Sequence, residues 1–161
     1  MKKSVKNLVM AAMLAAICFV VTAMIKLPSP LGGYINIGDS VVLFAGLFIS
    51  PVYAFFAAGI GSALADILSG YIIYAPATFV IKGIMALIAY FCYKALVKKT
   101  TPFKSRLACG ALAELFMVAG YYVFEGFIYG FVPSLVNIPA NMVQGVVSLV
   151  IVILFTKLLK K

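Results

Sequence analysis

Asn36, Asp39, Asp66 and Lys82 lie in a stretch, residues 33–83, that is otherwise hydrophobic enough to sit in a bilayer. Charged groups at that depth are costly and persist where they face a bundle interior or a water-filled cavity. Around them stand Tyr34, Tyr71, Tyr74, Gly32, Gly33, Gly38, Gly70, Pro76 and Thr78. Amides, carboxylates and phenols can hydrogen-bond a small molecule, aromatic faces can stack on it, and Gly and Pro supply irregular backbone. This is the chemistry of recognition rather than reaction. The chain has no histidine, no Ser–His or Cys–His pair and no G-x-S-x-G elbow. It also lacks a G-x-x-x-x-G-K-[ST] loop, so it cannot drive ATP-dependent transport alone. Cys18, Cys92 and Cys109 are far apart in or near apolar runs, which argues against a disulfide framework or a zinc site. Asp39 and Asp66 could bind a metal or exchange protons, but they have no companions for it. No catalytic residue, metal or cofactor is therefore expected, and a membrane enzyme is the weakest reading.

The elements that position these residues follow from composition. Of 161 residues, 65% are hydrophobic and 11% charged, with a mean hydropathy of +1.18. Soluble domains carry about a quarter charged residues. The length accommodates about six spans of roughly 20 residues. The expectation is a single all-α membrane domain over residues 1–161, a bundle of six transmembrane helices near 7–25, 38–50, 52–69, 77–97, 107–129 and 137–159. The basic start MKKSVKN and the apolar run after it resemble a signal peptide, but the run is long and no A-x-A site follows. It reads as the first span, entering from the cytoplasm. Ala11, Ala12, Ala15 and Ala16 within it form two overlapping small-xxx-small pairs on neighbouring faces, where another helix can approach closely.

The segment KLPSPLGGYINI, with two prolines and two glycines, reads as a loop. Asp39 then opens a short second helix, where it is placed as an N-cap against the helix dipole, a role compatible with binding. Ser62, Asp66 and Ser69 fall at i, i+4 and i+7, as do Asn137, Asn141 and Gln144, giving two polar helix faces. Tyr71 and Tyr74 suit interfacial anchors as well as a pocket. Lys82 can snorkel to the outer surface or pair with an acid, and the acids in the same outer half favour pairing.

The net charge of +9 is arranged for a membrane, not for nucleic acid. Eleven of the 13 basic residues fall at the N-terminus, in the 94–106 loop and at the C-terminus. By the positive-inside rule both termini are cytoplasmic and the spans even in number. Asn36, Asp39, Asp66, Lys82, Glu125, Asn137, Asn141 and Gln144 then gather toward the outside, with Glu114 nearer the cytoplasmic half. No ring of like charges suggests an ion pore, and no inverted repeat suggests a secondary transporter. Coupling would come from a partner; a self-sufficient gradient-driven transporter is the alternative.

GGYINIGDSVVLFAG, followed by SALADILSGYIIYAPATFVIKG, resembles the substrate-binding S components of energy-coupling factor (ECF) vitamin transporters. Within that family it is most similar to the riboflavin-type and the hydroxymethylpyrimidine/pyridoxine-type branch. The resemblance spans the chain in length, number of helices and topology, and is most specific in 33–83. It implies a multi-pass protein of a prokaryotic plasma membrane that captures a water-soluble vitamin from outside. The pocket would be closed by the loop between the first two helices. The implied partners are a transmembrane T subunit and two cytoplasmic ATPases, and the implied motion is a toppling of the whole body in the bilayer. Carried over by position, the pocket is Tyr34, Asn36, Asp39, Asp66, Tyr71, Tyr74, Lys82, Glu125, Asn137, Asn141 and Gln144. The docking motif falls on Ala11 and Ala15 or on Ala12 and Ala16. With no tryptophan in the chain, stacking is left to Tyr and Phe, which counts against the biotin- and thiamin-type members. Toppling would require the buried charges to stay paired, so an Asp–Lys network is expected.

Overall fold

The structure, a computed structural model, describes residues 3–158; residue 159, the expected end of the last span, lies outside them. Six helices carry the fold: α1 (Lys3–Met24), α2 (Asp39–Phe48), α3 (Pro51–Leu68), α4 (Ala75–Leu96), α5 (Pro102–Tyr129) and, after a short α6 (Phe131–Ser134) and a 3-10 turn (Leu135–Asn137), α7 (Ile138–Leu158). All but α2 and the short α6 are long and apolar enough to cross a membrane. The bundle is inverted relative to a soluble protein. Leu8, Val52, Phe56, Phe91, Val146 and Phe155 are exposed, whereas Asp39, Lys82, Glu114, Glu125, Asn137 and Gln144 are buried. Lipid solvates the first set, and only the interior can satisfy the second.

Small residues let the helices close up. α3 packs most extensively against α4 and α1. A Cβ at Gly61 would stand 2.5 Å from the Ala15 carbonyl oxygen and 2.8 Å from Cys18 Cβ, so α1 crosses α3 in backbone contact there. Gly46 gives α2 the same closeness to α4, 2.5 Å from the Ala86 carbonyl oxygen.

Two elements depart from the sequence expectation. The loop after α1 contains a short antiparallel hairpin, β1 (Lys26–Pro28) with β2 (Tyr34–Asn36), in the register Lys26↔Asn36, Leu27↔Ile35 and Pro28↔Tyr34. Gly32 and Gly33, at φ 145° and 75°, make its turn possible. The fifth helix begins at Pro102, because Thr101 caps it by accepting from Lys104 N at 3.4 Å and proline suits the first turn.

Helix α2 has 10 residues and is about 15 Å long, half the hydrocarbon thickness. It ends in the tight turn Ile49–Ser50 before α3, on the side of the basic α4–α5 connection. Its first residue, Asp39, therefore stands near mid-membrane, and the hairpin fills the outer half above it. Asp39 is not an N-cap: that position belongs to Gly38, whose N–H donates to Asn36 Oδ1 at 2.8 Å. The Asp39 carboxylate turns inward instead.

Candidate functional site

The four acidic residues of this chain, Asp39, Asp66, Glu114 and Glu125, are all buried, as is Lys82. At the floor of the outer half, Lys82 of α4 forms an ion pair with Asp39 Oδ1, and Gln144 of α7 donates to Asp39 Oδ2 at 2.6 Å. The Lys82 ammonium also lies 5.2 Å from the Tyr121 ring centroid. Three helices are thus tied at one carboxylate, and Lys82 pairs inward rather than snorkelling.

The hairpin rests on this floor. Asn36 N donates to Gln144 Oε1 at 2.8 Å, so one amide side chain supports both Asp39 and the lid above it. Leu31 N donates to Asn137 Oδ1 at 3.2 Å, and Lys26 Nζ donates to Ser69 Oγ at 2.8 Å. Asn137 Nδ2 in turn donates to Glu125 Oε1 at 3.0 Å, which also accepts from the Tyr74 hydroxyl at 3.4 Å. Tyr34 OH donates to Asp66 Oδ1 at 2.7 Å while its ring lies 4.8 Å from that of Tyr71. Tyr34 and Tyr74 belong to the outer connections. Burial first raises both phenols above their ordinary value; the Asp66 charge adds at Tyr34, and at Tyr74 the Tyr129 hydrogen bond and the Glu125 charge do so. Both remain donors at physiological pH.

These groups surround a cavity under the hairpin. Tyr34, Asn36, Asp66, Tyr74, Lys82, Glu125, Asn141 and Gln144 line it, together with Thr22, Ser29, Gly33, Ser62, Thr78 and Tyr121. Asp39 and Asn137 sit behind the wall, holding Lys82 with Gln144 and Glu125 respectively, and Tyr71 backs Tyr34. Thr22, Ser29 and Tyr121 are additions to the sequence expectation. For Tyr121 a signal existed: it precedes Glu125 by one helical turn, and its hydroxyl lies 3.0 Å from Thr78 Oγ1. For Thr22 and Ser29 only the folding of the hairpin against α1 brings them in. The cavity volume is about 30 Å³, room for about two waters at the 10–15 Å³ each requires. In this conformation the hairpin is closed onto the polar cluster.

Glu114 makes no hydrogen bond or salt bridge to the outer cluster, although the charges of Asp39 and Lys82 reach it. Neither of its oxygens has a hydrogen-bond partner among the described residues, and it borders an apolar groove with Leu115, Val118, Met142, Val146 and Leu149. Replacing two unsatisfied acceptors by methyl groups removes a desolvation cost. Glu114→Leu is expected to stabilise the protein by about 1–2 kcal/mol, read as a raised thermal midpoint in detergent. A lowered midpoint would contradict this account of Glu114.

On the side of α1, Ala11 is buried and Ala15 lies over Gly61 of α3, whereas Ala12 and Ala16 are exposed. All four border an apolar groove between α1 and α3 that includes Leu8, Phe19, Val52, Phe56, Ile60 and Leu64.

Comparison with known proteins gives the same picture. A protein of Pyrococcus woesei, described as an uncharacterized protein in gap 3'region, is 32% identical over 133 residues, covering 82% of this chain and 86% of that one. A solved structure of the S component of a bacterial ECF transporter superposes with a TM-score of 0.79 at 27% identity, covering 98% of this chain and 97% of that one. The sequence model of the ECF-type riboflavin transporter S component matches residues 2–161. The fold is thus shared with an S component of known structure, and this chain belongs to the family of ECF-type riboflavin transporter S components.

Proposed function

We propose that this chain captures a water-soluble vitamin, riboflavin or a smaller heterocycle such as pyridoxine or a hydroxymethylpyrimidine, from outside a prokaryotic plasma membrane and delivers it for ATP-driven uptake. The observation that carries this reading is the polar cavity between α3, α4, α5 and α7, roofed by a hairpin tethered through side chains. A bundle whose membrane interior holds amides, phenols and carboxylates around a cavity has the composition of a small-molecule site. About 30 Å³ is too little for any vitamin, so binding requires the hairpin to lift. Its tethers are single hydrogen bonds, each worth roughly 1 kcal/mol net, and a ligand can replace them at small cost. Tyr34, its ring tilted at 49° to that of Tyr71, and Tyr74 then supply the faces for a flat ring.

Energy would come from two cytoplasmic ATPases carried by a transmembrane T subunit, and the apolar α1–α3 groove is the surface proposed for the T subunit. Ala12 and Ala16 are the outward members of the alanine motif, so the contact is assigned to them, and Ala11 and Ala15 keep α1 on α3. Two measurements test the reading. Native mass spectrometry of the detergent-purified protein should show a bound vitamin, and titration should detect tight binding of riboflavin or one of the smaller candidates. Ala12→Trp, which adds bulk on an exposed face, should reduce co-purification of the T subunit at least about tenfold while leaving vitamin binding within about twofold of wild type. Vitamin uptake by cells lacking every ATPase partner would overturn the proposal in favour of gradient-driven transport.

A further inference from the structure

Thr22 Oγ1, Asp66 Oδ2 and Glu125 Oε2 are buried, have no hydrogen-bond partner among the described residues, and belong to residues that line the outer cavity. The two carboxylates are 5% and 3% exposed. Each is anchored to the protein through its other oxygen, Asp66 Oδ1 by Tyr34 and Glu125 Oε1 by Asn137 and Tyr74. Glu125 is therefore oriented by residues outside the hairpin before any ligand arrives, Asp66 is held by the hairpin's own Tyr34, and each retains one acceptor oxygen. Neither forms a salt bridge among the described residues, although the Lys82 charge reaches Asp66. The Lys82 ammonium is committed to Asp39, and Lys26, exposed at the rim, donates to Ser69. The wall of the cavity thus carries more acid than base, although the chain as a whole is strongly basic.

We propose that Asp66 and Glu125 form a two-carboxylate acceptor site that selects ligands presenting hydrogen-bond donors, hydroxyl or N–H, toward both α3 and α5 and carrying no negative charge. The site takes a free vitamin with hydroxyl or amine groups and rejects its phosphate ester. This rests on the vitamin-capturing reading above and adds the basis of selection. An ionised ester would place a second anion beside buried carboxylates, where like charges cost several kcal/mol, whereas a hydroxyl or ammonium completes the unsatisfied oxygens. Thr22, a hydroxyl able to donate or accept, lies on the same wall and adapts to either group.

The test is equilibrium titration of the full-length protein in detergent with three matched pairs: riboflavin, pyridoxine and thiamin, each against its monophosphate. In whichever pair binds, the free vitamin should bind at least about 100-fold more tightly than its ester. Asp66→Asn and Glu125→Gln should each weaken the free vitamin by roughly 10- to 100-fold and narrow its advantage over the ester. Thermal midpoints near wild type separate lost contacts from lost folding, and if both variants unfold, the wild-type ratio alone decides. A phosphate ester binding as tightly as its free vitamin overturns the proposal, as do two folded variants that keep wild-type affinity. Preference within the pyridoxine or thiamin pair, with no flavin binding, overturns a flavin substrate and upholds the carboxylate rule. Failure of every compound overturns the capture reading and this one together.

Discussion

Lys82→Met should lower the stability of the protein by about 3–5 kcal/mol and abolish ligand binding. The ammonium is 2% exposed and forms the salt bridge with Asp39 near mid-membrane. Removing it leaves Asp39 with a hydrogen bond from Gln144 and no counter-charge, in a place where water cannot compensate. The loss then spreads through Gln144, because the same side chain accepts from Asn36 N and so holds the hairpin. The double variant Lys82→Met, Asp39→Asn should recover most of the stability, since the amide keeps a partner for Gln144 and carries no charge. The comparison is made by thermal unfolding in detergent, with riboflavin titration alongside. A Lys82→Met protein with a wild-type midpoint would show that the pair is not what secures α2 to α4.

Gly46→Leu should cost about 2–3 kcal/mol or more, with binding lost in parallel. A Cβ there would meet the Ala86 carbonyl oxygen at 2.5 Å and Ala89 Cβ at 2.8 Å, and the first of these is backbone, which cannot swing aside. Helix α2 would have to move away from α4. Gly46 follows Asp39 by two helical turns, so displacement at Gly46 also pulls Asp39 away from Lys82. Unlike Lys82→Met, this variant leaves every polar group of the site in place. A folded Gly46→Leu protein that binds riboflavin with wild-type affinity would mean that the helix spacing has slack. The two substitutions together separate the electrostatic and the steric part of one helix contact.

Both effects bear on how a bundle of mostly apolar surface can hold charges. The closeness of α2 to α4 brings Asp39 and Lys82 together, and their pairing removes the need for water at that depth. Body reorientation within the bilayer, as the family resemblance implies, is compatible with charges kept in pairs inside the bundle. Of the four acids Glu114 is the one with no hydrogen bond to either oxygen among the described residues, and it is the acid whose removal is expected to stabilise.

Much of this protein could be read from composition and period. Long apolar runs dictate helices because lipid leaves backbone groups no outside partner, and the sided distribution of Lys and Arg orients them. The i, i+4, i+7 faces of α3 and α7 placed Asp66 and Gln144 toward the interior, since polar faces of a span cannot point at hydrocarbon. Pairing partners were beyond that reading. Whether Lys82 met Asp39, Asp66 or the outer surface depended on how near α2 comes to α4, and that spacing is set by Gly46 against Ala86. The hairpin was hidden in a proline- and glycine-rich stretch because its stability comes from Asn137 and Gln144, over a hundred residues away, not from local propensity. The division between Ala11 with Ala15 and Ala12 with Ala16 was equally a tertiary matter: the alanines are alike in sequence, and only the crossing of α1 over Gly61 turns one pair inward and leaves the other exposed.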